Sequence, residues 1–182
     1  MPNSQPRRTR HSPFSCRGVI ASGSIPRMPF FFAYGARMSA EHMRSDTPGA
    51  KAFGPARLDG YRLAFNVTNR SWGGDAANAV PAIGGHMWGV LWEIDDADLE
   101  AFDSFRGDDR MSHVLEVEVQ GPEGPVKATT FAVDSPERYV APTDRYVAML
   151  RGVAEVQGLP EEALQDIDAA AKGKSPGQLP SI

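Results

Sequence analysis

A run of aromatic residues that stops abruptly at a tyrosine and a glycine constrains the fold of this chain more than any other stretch. It spans residues 30–38 (FFFAYGARM) and leads into a helix-start signal at Ser39. Such a run fills a buried strand, and the loop after it can line a pocket. Because glycine adopts backbone angles closed to other residues, the N–H groups of Gly35, Ala36 and Arg37 could point into one cavity. The alternative is that Gly35 only turns the chain after a core strand.

The length and composition are those of one domain with a hydrophobic core. The chain has 182 residues, of which 41% are hydrophobic and 23% are charged. This length suffices for one domain with a core and is too short for two. A net charge of -4 argues against a broad basic surface, so we expect no nucleic-acid partner. The single cysteine, Cys16, excludes a disulfide framework and a Cys-rich metal site. No phosphate-loop, zinc or dinucleotide motif occurs, and we expect neither a metal nor a cofactor.

The composition divides the chain into three parts. Residues 1–27 are rich in Arg, Ser and Pro and have no periodic apolar pattern, which predicts a disordered tail or an over-extended start before Met28. A mitochondrial presequence would share this bias. We expect the domain to cover residues 28–174 and a tail to cover residues 175–182. No apolar run approaches the roughly 20 residues that span a bilayer. We therefore expect a cytoplasmic protein, monomeric or homodimeric, without a membrane partner.

Alternating apolar residues predict further strands. They occur over residues 60–66, 87–94, 114–120 and 126–133. The last two are predicted to form a β-hairpin with a long turn over residues 121–125. Together with the first aromatic strand, these segments favour a small mixed barrel that is closed or nearly closed.

Helical patterns appear in three parts of the chain, one of which is a short helix capped by Asp95 or Asp96 that carries Leu99 and Phe102 on one face and ends near Gly107. A short helix is predicted to begin at Ser39 and to end before Pro48. Beyond Pro136 the apolar period becomes about 3.6, which predicts two C-terminal helices separated by Gly158. The first has an apolar face made of Tyr146, Met149, Leu150 and Val153, and the second opens at Pro160. Strands, short helices and a C-terminal helical pair make an α+β domain.

A glycine-containing loop around Trp72 is a second candidate for substrate binding. It reads NRSWGGDA over residues 69–76. Gly73 and Gly74 could admit a ligand beside the Trp72 ring. Alternatively, the loop is a turn whose Trp72 covers the edge of the core.

Five segments resemble the γ-glutamylcyclotransferase-like (AIG2-like) family. The family has a Tyr-Gly-Ser-Asn loop, an Ala-Arg-Leu segment, a Trp-Gly-Val-Val-Trp strand, a Leu-Asp-x-x-Glu-Gly segment and a tyrosine-containing helix that closes on Gly-Leu-Pro. The matching segments here are residues 34–37 (YGAR), 56–63 (ARLDGYRL), 88–92 (WGVLW), 102–107 (FDSFRG) and 146–160. The resemblance implies a mixed barrel with a pocket over the Tyr34-Gly35-Ala36-Arg37 loop.

The resemblance also implies a cofactor-independent reaction. In this family the α-amine of a γ-glutamyl compound attacks its own γ-carbonyl, and 5-oxoproline and a free amine are released. Tyr34, Gly35 and Ala36 would form the substrate and oxyanion loop. The partner would be a small molecule, either a γ-glutamyl compound or another anion.

Three residues depart from the family pattern. Arg106 stands where the family has its glutamate base, and a guanidinium has no lone pair with which to accept a proton. Arg37 replaces the asparagine of the loop, and Phe131 takes the place of a tyrosine in a later strand.

Two hypotheses follow from these departures. In the first, a substitute base such as Asp103, Asp108 or Asp109 accepts the amine proton while the arginines bind the substrate carboxylate. In the second, the protein is a non-catalytic or chemically diverged domain that binds an acidic small molecule through Arg37 and Arg106. Arg106 could also be an exposed cation at a helix end.

Overall fold

Within the part of the chain that the structure describes, five strands close into a barrel in the order β1-β3-β2-β4-β5. The structure is a computed structural model that describes residues 29–69, 74–95, 97–98, 112–133 and 139–174. The strands are β1 (Phe30–Ala33), β2 (Lys51–Asn69), β3 (Gly74–Glu93), β4 (Ser112–Gly121) and β5 (Gly124–Val133). The helices are a 3-10 turn (Ala36–Met38), α1 (Ala40–Asp46), α2 (Asp144–Val156) and α3 (Glu161–Ala171). The α+β class is confirmed.

The short strand β1 closes the barrel between β3 and β5. It pairs antiparallel with β3 over its whole length and parallel with β5 at Phe31 and Thr129. The buried Thr130 hydroxyl donates to the Phe32 carbonyl over 2.7 Å, which reinforces the brief parallel contact. All other neighbouring strands pair antiparallel. The expected mixed barrel is therefore confirmed.

Two strands are much longer than their alternating segments predicted. Strand β2 extends beyond residues 60–66 at both ends, and β3 begins well before residue 87. Glycine and proline interrupt the alternation of apolar residues in β2. The strand nevertheless stays paired with β3, with register shifts beside Gly54 and Gly60. A β-bulge adds a residue to one strand without ending the ladder, so the hairpin continues through these positions.

The hairpin of β4 and β5 has a tighter turn than predicted. Gly121 pairs with Gly124, so the turn contains only Pro122 and Glu123. Gly124 has a φ of 116°, a conformation that residues with a Cβ rarely adopt. The prediction of a long turn was wrong because this glycine lets the ladder run to the end of the hairpin.

The helices begin and end close to the predicted residues. Ser39 is the N-cap of α1, although its side chain makes no capping hydrogen bond. Thr143 caps α2 by accepting a hydrogen bond from the Tyr146 amide over 3.3 Å. Gly158 follows α2 with a φ of 72°, as expected of a residue that ends a helix.

The hydrophobic core joins the barrel to the C-terminal helical pair. Leu150 of α2 and Ile167 of α3 lie in one cluster with Phe32 and Trp92 of the barrel. Of the predicted α2 face, Tyr146 and Leu150 are buried, whereas Met149 and Val153 are half-buried. None of the described helices has both the length and the apolar character needed to cross a membrane.

Candidate functional site

The loop that follows β1 is the first part of the candidate site. β1 ends at Ala33, and after Tyr34 and Gly35 the chain makes the 3-10 turn that leads into α1. The Met38 amide donates to the Gly35 carbonyl over 2.9 Å and thereby fixes the turn. The aromatic strand that delivers a loop, predicted from residues 30–38, is present.

The Tyr34 hydroxyl connects strands on two sides of the barrel. It donates to the Phe131 carbonyl of β5 over 2.5 Å and accepts a hydrogen bond from the Ala79 amide of β3. Burial raises the pKa of Tyr34 well above its ordinary value, and the nearby Tyr146 adds to this, whereas the Ala79 amide and Arg37 lower it. Both hydrogen-bonding roles of the Tyr34 oxygen thus hold the barrel together.

Tyr146 approaches the same loop from the first turn of α2. Its hydroxyl oxygen accepts a hydrogen bond from the Ala77 amide over 3.3 Å and another from the Ala36 amide. Burial raises the pKa of Tyr146, and these two amides partly offset the rise. From the sequence, Tyr146 was expected on a core-facing helix surface and in the segment that resembles the family's tyrosine-containing helix, without a role at the site. The missed signal was a phenol beside a capped helix start, since a buried phenol needs a polar partner.

Gly35 differs from its expected role. Its φ is -117°, so the backbone angles that only glycine tolerates are not used. A Cβ at this position would lie 3.5 Å from the Tyr146 hydroxyl and 3.7 Å from the Ala77 Cβ, both ordinary contacts. The Gly35 amide makes no hydrogen bond to any described residue. Gly35 therefore contributes a backbone donor that no described residue uses.

Arg37 is directed toward α1. Its Nε and Nη2 atoms lie 2.9 Å and 2.8 Å from the Asp46 Oδ2 atom at the end of that helix. Both side chains are partly exposed, at 35% and 25%. Arg37, which stands where the family loop has an asparagine, thus forms an ion pair with Asp46 of the same chain.

Phe131 lies beside Tyr34 and contributes its backbone. Its ring packs against Phe31 with the centroids 5.4 Å apart, and its carbonyl accepts the Tyr34 hydroxyl proton. Close to it, the buried Asn78 side chain accepts from the Val133 amide over 3.0 Å and donates to the Val133 carbonyl over 3.4 Å. Sequence reasoning missed Asn78, because its partner is a backbone far away in the chain.

The structure brings five of the predicted site residues into one region. They are Tyr34, Gly35, Ala36, Arg37 and Phe131. The other predicted residues lie outside the described residues: Trp72, Asp103, Arg106, Asp108 and Asp109. No group of three or more metal-ligating side chains occurs among the described residues.

Because the Tyr34 phenol is buried, we expect the protein to lose stability in alkaline solution. Because folding raises the pKa of Tyr34 above the unfolded value of 10.0, only the unfolded chain loses this proton above about pH 10. The contribution is complete below that pH and declines as the pH rises, by at most about 1.4 kcal/mol per pH unit. Urea unfolding at about pH 9, 10 and 11 should therefore show a weaker pH dependence for Tyr34→Phe than for the parent. Equal slopes would contradict the prediction.

Removing the partner of Arg37 separates the two hypotheses. Asp46→Asn should cost about 0.2–1 kcal/mol of stability, since the pair is partly exposed. If Arg37 binds an anionic ligand, the variant should bind that ligand more tightly at low salt, because the Asp46 carboxylate no longer competes with the ligand for the guanidinium. If the protein is an enzyme whose chemistry uses the loop backbone, turnover should stay within about twofold.

Asp59→Asn is the matched control for that experiment. It breaks another partly exposed pair, in which Arg57 lies 2.9 Å from Asp59. This control should alter neither ligand affinity nor turnover. A twofold or smaller effect of Asp46→Asn on anion affinity, measured by calorimetry, would speak against anion binding through Arg37.

The chain is similar to known proteins in sequence and in fold. The model of the AIG2-like family matches residues 86–167. γ-Glutamylcyclotransferase of Homo sapiens is 27% identical over 155 residues, which cover 82% of each chain. A solved structure of a γ-glutamyl cyclotransferase has a TM-score of 0.72 and 28% identity, and the match covers 78% of this chain and 86% of that one. The chain is thus similar to the γ-glutamylcyclotransferase-like (AIG2-like) family in sequence and in fold.

These matches confirm the resemblance stated from the sequence. A structure of an uncharacterized Homo sapiens protein is similar as well, with a TM-score of 0.71 and 28% identity over 77% of this chain and 86% of that one. The family model begins at residue 86 and so leaves out the loop of residues 34–37. The loop is included in the candidate site because of the contacts of Tyr34, Gly35 and Tyr146 described above.

Proposed function

We propose that this protein is an enzyme of the γ-glutamylcyclotransferase type that converts a γ-glutamyl amino acid or amine into 5-oxoproline and the free amine. One observation carries the proposal: the Gly35 amide, directly after Tyr34, makes no hydrogen bond to any described residue. Such a donor can stabilise the negative charge that develops on a carbonyl oxygen under attack. The similarity to γ-glutamylcyclotransferase supports this choice of reaction.

The reaction needs little more than geometry and a proton acceptor. The α-amine forms a bond to the γ-carbonyl carbon, and the carbonyl electron pair moves to the oxygen. When this intermediate collapses, the bond to the leaving amine breaks and that amine takes up the proton lost by the attacking amine. Since both reacting groups belong to one molecule, a fold that holds the ring-closing conformation gains effective molarities of roughly 10⁵–10⁸ M. No cofactor is required.

The proton acceptor is the part of the proposal that sequence departures affect most. Arg106 cannot accept a proton, so the proposed base is a carboxylate near it in sequence. Asp103 is the first candidate, and Asp108 and Asp109 are the others. Neutralising the true base should lower turnover by on the order of 10²–10⁴-fold. Arg37 is not assigned a catalytic role, because its guanidinium contacts Asp46.

The proposal is tested by measuring 5-oxoproline release. The full chain is incubated with γ-glutamyl amino acids, γ-glutamyl amines and glutathione, and products are measured by mass spectrometry. Release from at least one substrate, abolished by one aspartate-to-asparagine change, is the expected result. Arg106→Glu is assayed beside it. Activity only in Arg106→Glu would overturn the proposal for the natural protein and favour the domain that binds an acidic small molecule.

A further inference from the structure

Gln157, the residue that ends α2, holds the 3-10 turn of the candidate site. Its side-chain Nε2 atom donates to the Met38 carbonyl over 2.9 Å, although the two residues are 119 positions apart in the chain. Met38 is the last residue of the turn and is only 1% exposed. The turn follows Gly35 directly, and the Met38 amide donates to the Gly35 carbonyl over 2.9 Å. Gln157 is therefore connected to Gly35 through a single residue.

The backbone of Gln157 is itself fixed. Its amide donates to the Val153 carbonyl over 2.9 Å, and the Gly158 amide donates to the Glu155 carbonyl over 3.1 Å. Gly158 has a φ of 72° and closes the helix. The next residue, Leu159, is buried in the hydrophobic core. The Gln157 side chain thus extends from a backbone that cannot shift without breaking the end of α2.

Helix α2 also holds the other end of the turn. The Ala36 amide, in the first residue of the turn, donates to the hydroxyl of Tyr146 in the first turn of α2. Since α2 has 13 residues and rises about 1.5 Å per residue, its two contacts with the turn start on the order of 15 Å apart. A segment held at one end can pivot about that contact, whereas a segment held at both ends has a fixed orientation. The contact from Gln157 therefore stops the turn from pivoting about Ala36.

We infer that Gln157 is a positioning residue of the candidate site, whose hydrogen bond to the Met38 carbonyl fixes the orientation of the 3-10 turn and thereby the direction of the Gly35 amide. The inference rests on the proposed function and extends it to a residue that acts through the turn rather than on the substrate. A donor stabilises a developing charge only when it points at that charge. A misplacement of about 1 Å can cost on the order of 10²-fold in rate.

The fold should tolerate the loss of this hydrogen bond. Gln157 borders an open groove between α1 and α2, together with Ser39, Glu41 and Val153. When the side chain is shortened, water from the groove can take the place of the amide group and donate to the Met38 carbonyl. A water molecule is not anchored to α2, so it satisfies the carbonyl without fixing the turn.

The first test compares Gln157→Ala with Gln165→Ala, a matched control on the exposed side of α3. Gln157→Ala should lower kcat for 5-oxoproline release by about 10–10²-fold with KM within about threefold, because a misdirected donor acts mainly on the transition state. Its melting temperature should fall by less than about 4 °C, as expected for one hydrogen bond. Amide hydrogen exchange over residues 36–39 should become at least about tenfold faster. Gln165→Ala should change none of these quantities.

A second variant keeps the length of the side chain. In Gln157→Glu the ionised carboxylate cannot donate, whereas the protonated carboxyl group can. Since a glutamate carboxyl has an ordinary pKa of about 4.3, kcat of this variant relative to the parent should rise as the pH falls from about 7 to about 5. The same ratio for Gln165→Glu should stay constant. A constant ratio for Gln157→Glu would overturn the inference, and this variant decides it if Gln157→Ala does not fold.

The outcomes separate the inference from the proposed function. An active parent with Gln157→Ala within about twofold of it in kcat overturns the inference and leaves the proposed function intact. Unchanged hydrogen exchange over residues 36–39 overturns the inference as well. A parent that is silent with every substrate overturns the proposed function. The exchange rates then decide whether Gln157 holds the turn: faster exchange in Gln157→Ala alone supports that role, and equal rates in both variants contradict it.

Discussion

Replacing Gly89 with alanine is expected to destabilise the protein strongly. A Cβ on this β3 residue would lie 2.4 Å from the Ala33 carbonyl oxygen and 2.7 Å from the Phe32 ring. Neither group can move cheaply, because the carbonyl is backbone of β1 and Phe32 is fully buried. We expect a loss of at least about 3 kcal/mol in the free energy of unfolding, from a total of about 5–15 kcal/mol. Urea unfolding followed by circular dichroism measures it.

The control for this experiment is Gly152→Ala. Gly152 lies on the exposed side of α2, and a Cβ there would meet no atom within 4 Å. Alanine in a helix interior should raise stability by about 0.5–1 kcal/mol. Should Gly89→Ala cost under about 1 kcal/mol, β1 and β3 would be able to separate without losing the barrel, and the close approach seen here would not be essential.

A graded series at Gly35 is expected to separate folding from activity. Gly35→Ala should change the free energy of unfolding by less than about 1 kcal/mol, because the φ of -117° suits any residue and the new contacts are ordinary. Gly35→Val adds methyl groups close to the Gly35 amide, the donor that the proposed function assigns to the carbonyl oxygen. We expect kcat/KM for 5-oxoproline release to fall on the order of 10²-fold in the valine variant.

The readout for this series is stability and turnover measured on the same samples. Gly152→Ala again serves as a control, since it adds a methyl group far from the loop contacts. Full turnover by a folded Gly35→Val variant would show that the space beside Tyr146 is not used by the substrate. Unfolding of Gly35→Ala would instead restore the expectation that glycine is needed for its backbone conformation.

Helices and strands could be predicted where each buries one face, because burial gives their apolar residues a regular spacing. The aromatic run of residues 30–38 predicted a buried strand and the loop after it, and the Tyr146 and Leu150 spacing predicted a buried helix face. Periodicity is a local property, and burial on one face of an element imposes it directly. The same reasoning failed for β2, because bulges beside Gly54 and Gly60 absorb residues that interrupt the pattern.

The arrangement of the site could not be predicted in the same way. The sequence analysis placed Tyr34, Gly35 and Ala36 in one loop, but the contacts of that loop come from Tyr146, Ala77 and Ala79, which are distant in the chain. The partner of Arg37 depends on where α1 ends, which no spacing of loop residues specifies.

By itself, the sequence determined the α+β class, the order of the main elements, the family resemblance and the loop at the end of β1. Only the tertiary structure decided that Tyr146 contacts the loop at Gly35 and Ala36 and that Arg37 contacts Asp46. The buried face of a helix or strand follows from the spacing of its own apolar residues. Hydrogen bonds between distant segments instead depend on how the whole barrel closes.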